Sequence, residues 1–279
     1  MKKLNKVAIV GVGLIGGSIG LALKKNKLAK EVIGIGRRPV SLSMAKRVKA
    51  VDKCSMDIGA AKDADLIILA TPAGKIIPKA KEVFKIAKKG AVVTDAGSVK
   101  LEIVKKIGKA APKGIAFVGA HPMAGSEKRG PSFARGDLFL NSTCILTKTP
   151  GTDPKALKMV KDFWKALGVS NIVVTTPARH DEIVAQISHM PHAAAVSVCL
   201  SASPEALKFA STGFRDVTRI AASDENLWMD IFMMNRKNII AQLNGYEKNI
   251  ARIKSLIAKK DARKLLGILK KARAIRENL

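Results

Sequence analysis

A histidine near the middle of the chain has a sequence setting that suits proton transfer. His121 follows the apolar run of residues 115–120 and precedes Pro122, within the stretch GAHPMAGSE. A neutral imidazole titrates near physiological pH and can accept a proton from a hydroxyl group. Pro122 restricts the local backbone, so the ring should be presented in a narrow range of directions. His121 is therefore predicted to be a catalytic base, with a buried structural histidine as the alternative. No second metal-binding side chain is near it in sequence, so no metal site is predicted.

A glycine motif near the start of the chain is typical of dinucleotide binding. GVGLIG (residues 11–16) matches G-x-G-x-x-G, directly after the apolar run KVAIV and at the start of a helical stretch. The first glycine permits a tight turn, the second lets the pyrophosphate approach the helix amino end, and the third permits close helix packing. A glycine-rich turn without a ligand is the alternative. The predicted cofactor-binding residues are Gly11, Gly13, Leu14, Ile15 and Gly16, with Thr71 and Pro72 at the end of a later apolar run.

The end of the second apolar run indicates which nucleotide binds. NAD enzymes usually carry an acidic residue there, which binds the ribose hydroxyls. This chain has Gly36, Arg37 and Arg38 instead. Guanidinium groups at that place suit a 2′-phosphate, so the motif favours NADP over NAD. The alternative is that both arginines are ordinary surface charges.

Short apolar runs separated by helical segments organise the first part of the chain. They end at residues 10, 36, 72, 97, 120, 147 and 177. Continuous apolar strands spaced by helices indicate a parallel sheet covered on both faces. The fold class is therefore predicted to be α/β, a doubly wound Rossmann domain over residues 1–177, followed by an all-helical domain over residues 178–279. Because the carboxyl ends of such strands bind ligands, His121 is expected at the site.

The helical part contains one segment that is too apolar for a small isolated domain. Residues 224–243 (DENLWMDIFMMNRKNIIAQL) are predicted to form one long helix. A helix this apolar is expected to pack in an interface between two copies of the chain. The predicted assembly is a homodimer.

Composition limits the other classes of function. The net charge is +28, but the lysines are spread along the chain and aromatic residues make up 4%. No nucleic-acid-binding motif is present, so a solvated basic surface is favoured over specific nucleic-acid binding. Three scattered cysteines indicate a reducing compartment. The first apolar stretch contains five glycines between residues 7 and 23 and ends in lysines, which is unlike a signal peptide or membrane helix. A cytoplasmic location without membrane association is expected.

Five motifs in order resemble the prephenate/arogenate dehydrogenase family of tyrosine biosynthesis, over nearly the whole chain. They are GLIGGS, TDAGSVK, GAHPMAGSE, SHMPHA and GFRDVTRIA, with Trp228 beyond them. The resemblance implies NAD(P)+-dependent oxidative decarboxylation of a cyclohexadienyl acid. It also implies that Ser98 is a hydrogen-bonding partner of His121 near the nicotinamide, and that Glu127 is an active-site acid. The alternatives are a helix N-cap for Ser98 and a surface carboxylate for Glu127.

The helical domain adds candidate substrate-binding residues. Asp181, Ser188 and His192 have spacings of i, i+7 and i+11, which place them on one stripe of a helix. They either form an internal polar network or line a cleft, and the resemblance favours the cleft. Arg215 and Arg219 are four residues apart and suit the two carboxylates of prephenate, with Arg219 preferred by the family pattern. Neither His180 nor His189 is assigned a role.

Three rival functions stay open on the sequence. Arogenate dehydrogenase differs only in the substrate's side chain, an amine in place of a keto group. A β-hydroxyacid or 6-phosphogluconate type of dehydrogenase would need a catalytic lysine in the helical domain, for which Lys237 is a candidate. A polyanion-binding protein with a vestigial Rossmann domain would explain the basic charge.

Overall fold

The computed structural model describes residues 1–278. By its internal contacts the chain divides into two compact units, Met1–Asn235 and the residues from Arg236 onwards. The last strand ends at Thr175, and the regular elements described after it are all helices or helical turns. Several of these helices belong to the first compact unit, so the domain boundary near residue 178 stays a prediction.

An eight-stranded sheet with Rossmann topology forms the centre of the first unit. Its strand order is β3-β2-β1-β4-β5-β6-β7-β8, and every neighbouring pair is parallel except β6 and β7. The strands are β1 (Leu4–Val10), β2 (Ala29–Ile35), β3 (Lys53–Ser55), β4 (Leu66–Leu69), β5 (Val92–Asp95), β6 (Ala116–Pro122), β7 (Thr143–Thr147) and β8 (Asn171–Thr175).

Helices follow most strands, and a further series of helices follows the sheet. Those interleaved with the strands are α1 (Leu14–Lys25), α2 (Pro39–Arg47), α3 (Ala73–Phe84), α4 (Leu101–Ala110) and α5 (Pro154–Ala166). Those after the sheet are α6 (Pro177–Val184), α7 (Met190–Ser201), α8 (Pro204–Leu207), α9 (Thr212–Thr218), α10 (Glu225–Met234), α11 (Arg236–Ala258) and α12 (Ala262–Glu277). A π-helical turn, Ala185–His189, joins α6 to α7, and 3₁₀ turns cover Ile58–Ala61, Pro131–Phe133 and Arg219–Ala222.

Alternating side chains of the strands supply two cores, one on each face of the sheet. Val7 and Ile9 of β1 face the core that contains Trp164 of α5. Ala8 and Val10 face the opposite core, to which α10 contributes Ile231. This alternation is the period-two pattern of a strand buried on both faces. The helix α10 thereby packs against the same sheet as the interleaved helices.

The predicted fold class is confirmed, with corrections in three elements. The expectation of a fully parallel sheet is wrong at β6 and β7. The 20 or so residues between them form no crossover helix, so β7 returns antiparallel. The three-residue strand β3 was not predicted, because KCS is too short to give a pattern.

The single long helix predicted over residues 224–243 is also wrong. It is interrupted at Asn235, whose backbone leaves the helical conformation (φ −112°, ψ 21°). The buried side-chain amide of Asn235 donates a hydrogen bond to the carbonyl oxygen of Asp181. A polar tertiary contact therefore ends α10 inside an apolar sequence.

The helical run Pro177–Ser201 is the one segment of residues 1–278 that is long and apolar enough, by those criteria alone, to cross a membrane. It also carries four of the molecule's buried polar side chains, His180, Asp181, His189 and His192. Hydrogen bonds tie Asp181 to the amino end of α4. This run is therefore part of the polar centre of the first unit.

The second unit consists of the helices α11 and α12. Asp261 caps α12, because its carboxylate accepts a hydrogen bond from the backbone N–H of Lys264. Apolar side chains on both helices are exposed, including Ile240, Ile250, Ile257, Leu266 and Leu269. Both helices of this unit thus present large apolar side chains at their surface.

Candidate active site

The predicted site residues that follow the strands, together with His121, all lie along the same edge of the sheet, the one formed by the carboxyl ends of its parallel strands. The segments that follow β2, β1, β4 and β5, together with the last residues of β6, all lie at the carboxyl ends of mutually parallel strands. In strand order they carry Arg37, Gly11, Thr71, Ser98 and His121. From β1 to β6 this line spans three strand spacings, roughly 14 Å. His121 lies within β6, one residue before its end, and not after the strand as the sequence pattern indicated.

The glycine loop after β1 is shaped to receive a phosphate group. Gly11 has a φ of +100°, and a Cβ there would lie 2.5 Å from the carbonyl oxygen of Ala70, so only glycine fits. A Cβ at Gly13 would meet no atom within 4 Å, which leaves the backbone open to a ligand. No side chain caps the amino end of α1. Its N–H groups are thus available to the pyrophosphate of a dinucleotide, with Leu14 and Ile15 in the first turn.

Two further observations at this edge fit a nucleotide. The hydroxyl of Thr71 is buried without a hydrogen-bond partner among the described residues. A buried hydroxyl group usually has a hydrogen-bond partner, so the hydroxyl of Thr71 is available to bind a polar group of a ligand. Pro72, the next residue, precedes the first turn of α3 and is exposed. After β2, Arg37 and Arg38 are both exposed, where they are free to reach a phosphate.

His121 is buried and forms one hydrogen bond to another histidine. Its Nδ1 atom lies 2.9 Å from Nε2 of His180, on α6. Nδ1 of His180 lies 2.7 Å from a carboxylate oxygen of Asp181. The side chains of His180 and Asp181 are 0% and 2% exposed. The three residues form a hydrogen-bonded chain that leaves Nε2 of His121 for other partners.

The surroundings keep His121 neutral. Burial, and then the neighbouring His180, Lys100 and His189, hold the pKa of His121 well below its usual 6.5. Burial also lowers the pKa of His180 to about 2. A neutral imidazole has a lone pair on one ring nitrogen, which is the form that accepts a proton.

A buried ion pair is linked to the backbone next to this histidine. Nζ of Lys100 is 2.5 Å from the carboxylate of Asp95, and both side chains are completely buried. The other oxygen of Asp95 accepts a hydrogen bond from the backbone N–H of Ala120, the residue before His121. Asp95 therefore fixes the backbone that carries the imidazole.

Ser98 has a different surrounding from the one expected. Nδ1 of His121 is hydrogen-bonded to His180 and not to Ser98. Ser98 also does not cap α4, because the carboxylate of Asp181 accepts hydrogen bonds from the N–H groups of Lys100 and Leu101. A carboxylate from another helix thus supplies the cap. Ser98 is left half-buried after β5, at the ligand edge.

The predicted stripe of Asp181, Ser188 and His192 is not formed. The π-helical turn Ala185–His189 adds a residue to the helical path, so the i, i+7, i+11 spacing no longer selects one face. Asp181 faces the amino end of α4. His192 stacks on Trp228, with ring centroids 3.5 Å apart and an interplanar angle of 9°. Ser188 is half-buried within the π turn.

Two other predicted site residues, Glu127 and Arg219, form an ion pair. Nη1 of Arg219 lies 3.2 Å from a carboxylate oxygen of Glu127. Arg219 is exposed, at the start of a 3₁₀ turn, and Glu127 is half-buried in the segment after β6. The same segment is tied down by Arg129, which pairs with Asp224 and Glu225. Arg215 is exposed on α9 and forms no ion pair with any described residue. Lys237 is exposed on α11.

Sequence reasoning missed the partner of His121. His180 is 59 residues away, and its neighbour Asp181 was the only hint of a polar pair. Among residues 1–278, no group of three or more His, Cys, Asp or Glu side chains is arranged to hold a metal ion. His121 and His180 are hydrogen-bonded to each other.

Comparison with known protein families identifies the same family over both parts of the chain. Residues 19–173 match the family model described as prephenate dehydrogenase, nucleotide-binding domain. Residues 176–271 match the model described as prephenate dehydrogenase, dimerization domain.

Individual relatives extend over nearly the full length. The prephenate dehydrogenase of Bacillus subtilis is 34% identical, over 99% of this chain and 76% of that protein. The crystal structure of prephenate dehydrogenase from A. aeolicus, in complex with hydroxyphenyl propionate and NAD+, superposes with a TM-score of 0.91 at 33% identity, covering 98% of each chain. The arogenate dehydrogenase of Synechocystis superposes with a TM-score of 0.81 at 29% identity, over 98% of this chain and 99% of that one.

Proposed function

This chain belongs to the prephenate dehydrogenase family, and we propose that it catalyses the NAD(P)+-dependent oxidative decarboxylation of prephenate to 4-hydroxyphenylpyruvate. The observation that carries the proposal is the buried, neutral His121 at the carboxyl edge of the sheet, in line with the open glycine loop. Ligands of open α/β sheets bind at this edge.

The residues present fit a nicotinamide dinucleotide. The free N–H groups at the start of α1, above Gly13, would hold the pyrophosphate, and the unpartnered hydroxyl of Thr71 would bind further along the cofactor. When bound, the cofactor accepts the hydride from the ring carbon that carries the substrate's hydroxyl group. Arg37 and Arg38, with no carboxylate beside them, favour NADP+.

His121 would accept the proton of the ring hydroxyl at Nε2. Its Nδ1 is occupied by His180, so Nε2 is the ring nitrogen that can face a substrate. As the carboxylate on the ring leaves as CO2 and the ring becomes aromatic, the proton returns to the phenol oxygen. General-base assistance of this kind contributes about 10²- to 10⁴-fold in rate.

The substrate's two carboxylates would be bound by guanidinium groups. Arg219 is the main candidate, because it is exposed and carries a carboxylate partner, Glu127, that a substrate carboxylate can replace. Arg215 is the second candidate. Ser98, Ser188 and His192 complete the proposed polar surroundings of the substrate. Asp181 acts indirectly, through its hydrogen bonds with the backbone N–H of Lys100 and with Nδ1 of His180.

We further propose a cytoplasmic homodimer. The part of the chain after the sheet exposes large apolar side chains, among them Leu200, Phe209 and Met233, at 83%, 85% and 63%. Exposed apolar surface of this kind marks an interface. Sedimentation equilibrium should give a mass of twice 29.8 kDa, and a monomer at micromolar concentration would contradict the assembly.

The test is a two-by-two assay of the purified protein, with prephenate or arogenate as substrate and NAD+ or NADP+ as cofactor. We expect the highest kcat/KM with prephenate and NADP+, and formation of 4-hydroxyphenylpyruvate. Arogenate is the second candidate, supported by the similarity to the Synechocystis enzyme, and a preference for it would move the assignment there. Failure to oxidise either substrate with either cofactor would overturn the proposal.

A further inference from the structure

We infer that His180 is a positioning residue which, together with Asp181, fixes the tautomer of His121 so that Nε2 is the proton-accepting atom. The inference rests on the proposed role of His121, but it concerns a residue that neither the sequence motifs nor the comparisons assign. It is carried by the geometry of one hydrogen-bonded chain through three buried side chains.

The positions of the protons in this hydrogen-bonded chain follow from the residue at its far end, Asp181. The carboxylate of Asp181 accepts hydrogen bonds from the backbone N–H groups of Lys100 and Leu101, at 2.7 and 3.0 Å. These two backbone donors at a helix amino end favour the ionised carboxylate, against burial, which raises the pKa of Asp181. Asp181 can therefore only accept, and Nδ1 of His180 must carry a proton.

The remaining protons follow from the neutrality of His180. A neutral imidazole that is protonated on Nδ1 has a lone pair on Nε2. Nε2 of His180 then accepts, so Nδ1 of His121 must donate across the 2.9 Å contact. A neutral His121 that is protonated on Nδ1 has its lone pair on Nε2. The carboxylate of Asp181 thus selects the reactive nitrogen of a residue it does not touch.

The same chain stabilises the imidazolium that forms after proton transfer. A cationic His121 would still donate through Nδ1, and the negative charge of Asp181 lies one imidazole away. The charged and titratable groups facing His121 are His180 and His189 from the helical run, Lys100 with its partner Asp95, and Cys144 on β7. Lys100 opposes the cation, so without His180 the imidazolium would be less favourable.

A pair of variants separates positioning from simple packing. His180→Gln keeps an amide oxygen that can accept from Nδ1 of His121, whereas His180→Leu fills similar space without an acceptor. The first readout is ¹⁵N NMR of the ligand-free protein, which distinguishes the two imidazole tautomers. It is tractable because the chain has only four histidines. We expect the Nδ1–H tautomer of His121 in the wild type and in His180→Gln, and a mixture or the Nε2–H tautomer in His180→Leu.

The second readout is the pH profile of turnover. In His180→Leu, we expect kcat to fall by about 10²-fold or more, as it does where a triad histidine is held in the wrong tautomer. The acidic limb of kcat/KM should move to lower pH, because the cation of His121 loses its acceptor. His180→Gln should retain kcat within about tenfold, and both variants should bind the dinucleotide with the wild-type Kd.

The outcomes distinguish this inference from the proposed function. An Nε2–H tautomer of His121 in the wild type would overturn the inference, whatever the substrate is. An unchanged tautomer and pH limb in a His180→Leu protein with a lowered Tm would make His180 structural only, which also overturns it. Correct tautomers in a protein without dehydrogenase activity would instead count against the proposed function.

Discussion

The ammonium group of Lys100 and the carboxylate of Asp95 lie 2.5 Å apart, and neither side chain has any exposed surface. Each also bonds backbone groups: Lys100 donates to the carbonyl oxygen of Val99, and Asp95 accepts from Gly97 and Ala120. When two charges are buried in this way, removing one leaves the other without compensation, which strongly destabilises the fold. The pair therefore fixes the backbone between β5 and β6 on which the candidate site is built.

Removing one member of this pair should destabilise the protein strongly. Lys100→Met leaves the Asp95 carboxylate buried without its cation, and we expect the free energy of unfolding to fall by about 3–5 kcal/mol. The double variant Asp95→Asn, Lys100→Met should recover part of this loss, because no unpaired charge is left. Urea denaturation of the three proteins measures both effects. A loss below about 1 kcal/mol in the single variant would contradict the expectation that the buried carboxylate of Asp95 depends on its cation.

Arg219→Ala should weaken substrate binding and leave cofactor binding unchanged. A charged hydrogen bond left unmade costs about 2–3 kcal/mol, so the KM for prephenate should rise by about 30- to 150-fold. Arg129→Ala is the matched control, since it removes an exposed arginine whose partners are Asp224 and Glu225. Steady-state kinetics with each substrate varied give the two KM values. If both KM values rise equally, Arg219 is a structural residue.

The cofactor preference should respond to the segment after β2. Gly36→Asp combined with Arg37→Gln introduces a carboxylate that repels a 2′-phosphate and removes a guanidinium that would bind it, each worth roughly 1–3 kcal/mol. A Cβ at Gly36 would lie 3.3 Å from Leu42, a contact that a small shift of that side chain accommodates. The measured quantity is the ratio of kcat/KM for NADP+ and NAD+ in both proteins. A wild type that already prefers NAD+ by tenfold or more would show that the arginines are surface charges.

Stability should decrease with acidification below pH 6.5. Burial lowers the pKa of His180 to about 2, and of His189 and His192 to about 4. Below the ordinary value of 6.5 the unfolded chain therefore binds protons that the folded chain does not, so the free energy of unfolding falls with pH until the folded pKa values are reached. Each such histidine contributes up to about 1.4 kcal/mol per pH unit. Urea denaturation from pH 7.5 to 4.5 tests this, and a constant free energy down to pH 5 would rule it out.

Much of the fold could be predicted because it follows from local patterns. Seven strands are continuous apolar runs, and the glycine loop combines a run, a turn and a helix start within eleven residues. The exceptions depend on contacts that are distant in the sequence. α10 ends where Asn235 reaches the carbonyl oxygen of Asp181, 54 residues away, and β7 is antiparallel because of the path of its preceding loop.

The candidate site divides in the same way. His121 was identified from its position at the end of an apolar run, and Arg219 and Glu127 turn out to be in contact. The partner of His121 is different from the serine expected, because His180 comes from a helix that begins after the whole sheet is complete. The π-helical turn Ala185–His189 also defeats any face assignment that assumes 3.6 residues per turn across it.

The most direct measurement for the central claim, that Nε2 of His121 accepts the substrate's proton, is the turnover of His121→Asn with prephenate across pH. We expect kcat to fall by about 10²- to 10⁴-fold, with the dinucleotide Kd unchanged and without the single deprotonation that the wild-type profile should show. Turnover within a few fold of wild type at every pH would contradict the account.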